Sequence, residues 1–221
     1  MGVASNTNHN QLVFQAKAHY FKGDIPVEFQ APDDQTYFFK TYIGKHKISV
    51  ERGDCVYYFS SDAKWAHLQR GPVEVDSQIC ATVIRGYMPS ERQASLSGTP
   101  LLPYINGCST RQIFAPPRLG DPTLQLLMIP AGSSEQAHHI HSTVRVVYVL
   151  QGRGMSIVGM PGTLDETELT PGMVCILDPM CPHHFTTPFN EDLVVVPLHI
   201  FSSVPSLETN HPMYNGTFIA K

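Results

Sequence analysis

From Leu12 onward, apolar and polar residues alternate in short bursts, LVFQAKAHYF, IPVEF, TYFFKTYI and HKISV, broken by Pro26, by Pro32 with Asp33 and Asp34, and by Gly44. A period of two with frequent turn residues predicts strands rather than helices. A turn at Gly53 and Asp54 then launches a strand through Val56, Tyr57, Tyr58 and Phe59, and residues 73–88, VEVDSQICATVIRGYM, predict one or two more. Their β-branched content outweighs any helical period. Residues 89–123 lose the period and fill with Pro, Gly and Ser. They predict a connector that packs over the second half through Leu101, Leu102, Tyr104 and Phe114, with a short helix over SERQASL capped by Ser90. Beyond it, TLQLLMIP, VRVVYVLQG, GMSIVGM and LVVVPLHIF head a run of six short strands at spacings of about 10 residues, each ended by Gly or Pro. That rhythm predicts a small antiparallel barrel or jelly roll.

The resulting organisation is all-β: a loose polar tail over 1–14, a β-rich half over 15–90, a connector over 91–114, a barrel over 115–205 and a tail over 206–221. Composition agrees with a folded chain, since 42% of the 221 residues are apolar and only 15% charged. A net charge of −4 with no basic run excludes a nucleic-acid footprint. No apolar run approaches the roughly 18 residues of a membrane helix, because Pro197 interrupts the strongest one. Five cysteines, odd in number and without a Cys-x-x-Cys pair or a secretory leader, read as reduced thiols of a cytoplasmic protein.

The densest chemistry lies in AGSSEQAHHIHSTVRVVYVLQGRG, residues 131–154. Alternation along a strand sends His139 and His141 to one face and His138 to the other. Two imidazoles on one face close on a metal if a third ligand comes from elsewhere, leaving coordination positions open to a substrate. The remaining His9, His19, His46, His67 and His211 have no partner spacing and read as solvated.

Gly132, the pair His139-x-His141 and a strand ending at Gly152 resemble the first signature of the cupin superfamily, and GMVCILDPMCPHHF, residues 172–185, is similar to the second. The resemblance spans residues 124–201 and implies a jelly-roll barrel whose last metal ligand is a histidine of the second signature. His183 follows Gly172 and Pro182 and precedes Phe185 as the family pattern asks, whereas His184 fits a literal count from Pro179. Met180 and Cys181 stand where that count wants glycine. His183 is favoured, since it would share the inward face with Phe185 and Thr187.

The family's glutamate ligand is replaced by Arg145, which shares parity with His139 and His141 and so points into the barrel. Arginine cannot ligate a cation. The first sphere is then three neutral histidines, which resembles the three-His iron dioxygenases among cupins, or the metal has been lost. Arg145 either receives the anionic group of a substrate or pairs internally with Glu135, Asp178 or a C-terminal acid. Tyr148 and His199 are the further catalytic candidates, although His199 also reads as a core histidine held by a carbonyl. Glu135, at the rim, is a candidate base or a solvated acid.

Three functions follow. The leading one is Fe(II)-dependent dioxygenation of a small anionic molecule, with Zn, Mn and Ni as other metals; the others are a non-redox metal-dependent lyase, hydrolase or isomerase, and a small-ligand-binding protein without catalysis. ISVERGDCVYYF in the first half resembles the entry to the second signature, with no HxH before it. That half reads as a degenerate cupin lacking metal and offering a homodimer surface, or as an extension adding strands to one barrel.

Overall fold

The computed structural model describes residues 16–30, 39–118, 120–201 and 218–219. The chain leads through β1 (Ala18–Lys22), β2 (Val27–Gln30), β3 (Phe39–Ile43), β4 (His46–Val50), β5 (Cys55–Phe59), β6 (Trp65–Arg70) and β7 (Val73–Ser77). β8 (Cys80–Ile84), β9 (Arg92–Ser95), β10 (Leu102–Pro103), β11 (Ser109–Phe114), β12 (Thr123–Ile129), β13 (His139–Ile140) and β14 (Thr143–Gln151) follow. β15 (Gly154–Val158), β16 (Asp165–Leu169), β17 (Met173–Leu177), β18 (His183–Thr186), β19 (Leu193–Phe201) and β20 (Phe218–Ile219) complete it. The all-β expectation holds, and no helix among the described residues is long and apolar enough to cross a membrane.

The strands stack as four layers. A seven-stranded sheet, β1-β17-β14-β19-β12-β11-β10, faces a five-stranded sheet, β16-β15-β18-β13-β20, to make the jelly-roll barrel. On the other side of the seven-stranded sheet lies a six-stranded one, β2-β3-β8-β5-β6-β9, itself capped by the pair β4-β7. Both middle sheets are therefore buried on two faces, which explains the unbroken apolar run VVYV in β14, buried from Thr143 to Val149. Val147 and Val149 face the barrel with Val195, Leu177 and Phe185. Val144, Val146 and Tyr148 face the first half, in one core with Tyr57, Leu68, Ile84 and Ile176. The first half has an interior of its own, built from Ile48, Val50, Val56, Val75, Ala81 and Val83. It is a separate sandwich rather than extra strands on the barrel.

Several boundaries move. β1, placed by its sequence in the first half, pairs antiparallel with β17 and so belongs to the barrel. The Ser90 segment is not a helix: Arg92–Ser95 pair with β6, because an open sheet edge offers hydrogen bonds that one exposed turn of helix cannot match. Within the connector, β10 and β11 join the seven-stranded sheet, and Phe114 is buried. Leu101 and Leu102, expected to pack over the second half, are instead exposed. The polar tail over 1–14 and all but Phe218 and Ile219 of the segment 206–221 lie outside the described residues.

The shared core makes the halves one cooperative unit. Ile176→Ala, in the barrel but buried against the first half, is expected to cost about 2–5 kcal/mol. The lone Trp65, in β6 of the first half, should report that loss as a lower urea midpoint in a single transition. An unmoved Trp65 transition would mean that the halves unfold independently.

Candidate metal centre

His139 and His183 sit directly opposite each other in the β13–β18 pairing of the five-stranded sheet. His141 lies in the short crossing from β13 to β14, its carbonyl anchored by the Met180 N–H at 2.6 Å. One nitrogen from each ring lies within 4.8 Å of the others, and this is the only such His, Cys, Asp or Glu group among the described residues. Of His183 and His184, the structure brings only His183 into the cluster. His183 is buried beside His139, whereas His184 turns to the outer face and meets His138. Met180, three residues before His183, adopts a left-handed backbone with φ of 62°, the conformation that glycine fits best. That slot sets the family register on His183, so the anomalous methionine occupies the glycine position without shifting the ligand.

Hydrogen bonds fix the tautomers. His139 Nδ1–H donates to the Ala137 carbonyl at 2.8 Å, and His183 Nδ1–H donates to the Cys181 carbonyl at 2.7 Å. Each ring therefore turns its Nε2 lone pair inward, the arrangement that carbonyl partners impose on metal-binding histidines. Burial and the nearby Arg145 charge push all three away from protonation: His139 falls to about 4, and His141 and His183 lie far below the ordinary range. Three neutral, inward imidazoles fit a divalent transition metal.

What meets those lone pairs in the structure is protein. Arg145 Nη1 donates to His183 Nε2 at 2.9 Å, and the Gln136 amide donates to His139 Nε2 at 2.8 Å. Arg145 is buried and points inward as its parity predicts, with Glu135 Oε1 at 3.8 Å. Burial lowers the guanidinium to about 10 while Glu135 opposes the shift, so Arg145 stays charged at neutral pH. Of the internal partners considered, Glu135 is the one met among the described residues, and the C-terminal acids lie outside them. Asp178 is engaged elsewhere, accepting from the Lys17 N–H and pairing with His19, which is thus not simply solvated.

Glu135 is not the solvated rim acid that its loop position implied. Its N–H pairs with the Phe185 carbonyl at 2.9 Å, which draws the loop against β18 and leaves the residue 4% exposed. Oε1 lies 3.9 Å from His139 Nε2, while Oε2 is buried without a hydrogen-bond partner. Burial raises its pKa, with Arg145 pulling the other way. Glu135 thus sets a carboxylate beside Arg145 and His139, although it is not one of the clustered ligand groups. Gln136 went unnoticed in the sequence; its signal was a position three residues before His139.

These groups open onto a cavity of about 250 Å³ lined by Glu135, His141, Arg145 and His199, with Tyr104 and Gln125 at its walls. His199 pairs with Arg145 across β14 and β19, and its Nε2 is buried with no hydrogen-bond partner, so the expected carbonyl contact at that atom is absent. Burial, then Arg145, hold His199 well below the usual histidine range. The structure does not bring Tyr148 here. One residue off the parity of Arg145, it faces the first half and packs on Phe59 at 5.1 Å between ring centres. Tyr104, from the connector, takes the phenol's place. A larger cavity of about 660 Å³ lies near Lys17, Tyr20, Met160 and Asp165. It contains none of the clustered histidines, so size alone does not locate the chemistry.

The model of the Cupin domain family matches residues 125–201. Residues 125–201 form a cupin domain. No curated protein matches the sequence. Among solved structures, AerE from Microcystis aeruginosa is 14% identical and aligns with a TM-score of 0.52 over 80% of this chain and 97% of its own. The two-part architecture is thus shared as a fold. A cupin-2 domain from Rhodospirillum rubrum is 20% identical over 48% of this chain and 68% of its own, with a TM-score of 0.38. A cupin 2 conserved barrel protein from Rhodopseudomonas palustris is 22% identical over 52% and 74%, also at 0.38. The five cysteines are free and buried, and none lies in the three-His cluster.

Two outcomes follow from the cupin site. Arg145 competes with any cation for His183 Nε2, and a like charge a few ångströms away costs several kcal/mol at an effective dielectric of about 20. Arg145→Met should therefore bind Zn(II) at least about tenfold more tightly in competition with a chelator, and unchanged affinity would show that the guanidinium does not oppose the metal. The second outcome concerns pH in metal-free protein. His139 is depressed in the fold to about 4, so the unfolded chain binds its proton first. Its contribution is complete above about pH 6.5 and is lost as pH falls toward 4, a total of about 3 kcal/mol. Urea midpoints at pH 7 and pH 5 should show the decline, and His139→Gln should reduce it.

Proposed function

We propose that this chain is a metal-dependent enzyme acting on a small organic anion, with Fe(II)-dependent dioxygenation as its chemistry. The observation that carries this reading is a cluster of three neutral imidazoles beside one buried guanidinium, from which His141 and Arg145 reach the wall of a single small cavity. A ferrous ion on His139, His141 and His183 would supply oxygen activation and open positions for substrate.

The chain's own groups would do the rest. Arg145, released from His183 Nε2 when the ligands turn to metal, holds the substrate carboxylate, and Glu135 balances the remaining positive charge. Gln125, Thr110 and Tyr104 offer hydrogen bonds along the wall, while Leu127, Val147 and Val195 keep the cavity dry. His199 resists protonation, so it accepts a substrate hydrogen bond rather than a full proton. Glu135, with its raised proton affinity, is the better proton acceptor.

That same carboxylate supports a second reading, in which the metal polarises the substrate without redox change and Glu135 removes a proton, as in a lyase or isomerase. The experiment is oxygen uptake by Fe(II)-loaded protein against a panel of small carboxylates and their neutral amides. Uptake confined to the carboxylates is expected, with KM raised about tenfold or more in Arg145→Ala, the loss of one charge-assisted hydrogen bond. Turnover of the same acids under anaerobic conditions with Zn(II) would replace the leading reading with the second. Stoichiometric ligand binding without turnover, unchanged in His139→Ala, would replace both with a binding protein.

A further inference from the structure

Each cupin ligand strand of this chain carries a doubled histidine, His138-His139 and His183-His184. Alternation sends one member of each pair inward and the other outward. Because His139 and His183 are direct partners across β13 and β18, their neighbours are brought together on the opposite face. His138 Nδ1 and His184 Nδ1 stand 3.0 Å apart with the rings nearly perpendicular, at 87°. The inner site uses neither residue.

The outer pair has the features of a ligand set. His138 Nε2–H donates to the Gly159 carbonyl at 2.7 Å, which leaves the Nδ1 of the neutral ring as a bare lone pair. That lone pair accepts from His184 Nδ1–H, so moving a single proton of His184 to its Nε2 exposes a second one. A metal at about 2.0–2.1 Å from two nitrogens holds them roughly 2.9–3.4 Å apart, a span the pair already has. The carbonyl contact of His138 is the outer-shell partner such a ligand needs. Both rings are half-buried and reachable from solvent. Glu166 faces the same side, since Ile157 is the register partner of both His184 and Glu166, and its charge favours a cation at His184.

We infer that His138 and His184 form a second metal site on the outer face of the five-stranded sheet, taking a borderline divalent ion such as Zn(II) or Cu(II), with Glu166 as its negative neighbour. Imidazole pairs prefer such ions over Mg(II) or Ca(II). The site clips the loop before β13 to β18 from outside, across the same two strands that hold the inner ligands.

The full chain, stripped with EDTA, is dialysed against Zn(II) and its bound metal counted. Two ions per chain are expected for the natural sequence. His138→Asn and His184→Asn should each retain one, and His139→Asn should retain the other. Wild-type stoichiometry in both outer variants would overturn the inference. A wild-type chain with one ion that His184→Asn loses and His139→Asn keeps would support the outer site while sinking the inner one. If either variant melts differently from the natural chain in EDTA, the wild type decides alone. Zn(II)-induced shifts of the His138 and His184 ring nitrogens by NMR support the site, and shifts confined to His139, His141 and His183 refute it.

Discussion

A charged guanidinium buried against a lone pair of a clustered histidine is the constraint on which the rest of this site depends. Arg145 stands where cupins place a carboxylate ligand, and a buried positive charge is tolerable only with an opposite charge and hydrogen bonds at hand. Glu135 supplies the charge, His183 Nε2 an acceptor, and the loop that carries Glu135 is drawn into the barrel by pairing with β18. Burial, with the Arg145 charge adding to it, holds the three histidines and His199 away from protonation. One residue of β14 thus sets the charge environment of the whole cavity.

Precise aim for that arginine comes from a strand that has no freedom to slip. β14, within the seven-stranded sheet, is buried on both faces, by the six-stranded layer on one side and the five-stranded layer on the other. A shift of one residue would drive Arg145 into the apolar core shared with the first half and Tyr148 into the cavity. The first half therefore does more than extend the molecule. By covering Val144, Val146 and Tyr148 it fixes which side of β14 faces the chemistry.

The fold and the histidine cluster were legible because both rest on period two and on local spacing. His139, His141 and Arg145 share a parity that any strand enforces, and His183 followed from its place in the second signature. What was hidden depended on contacts between distant segments. Glu135 sits in a loop whose burial comes from pairing with β18, and Tyr104 reaches the cavity from a connector with no periodic pattern. Tyr148 was misplaced for a different reason: it was chosen for chemical type, although its parity, opposite to Arg145, already sent it away. The Ser90 segment shows the reverse failure, where a good cap was outweighed by the hydrogen bonds of an available sheet edge.

β1 gives the chain an order in which it can be finished. It is among the first described residues, yet its partner is β17, with Lys17 and Asp178 joined across 161 positions. The closing of so long a loop is entropically disfavoured until the strands between are in place. On a ribosome the segment must wait for β17 to emerge before its edge is satisfied. The first-half sandwich, inserted between β1 and the rest of the barrel, is therefore a guest within the domain that it precedes in sequence. A gene cut between the two halves would release a barrel with the flank of β17 bare, a ready template for pairing with another molecule.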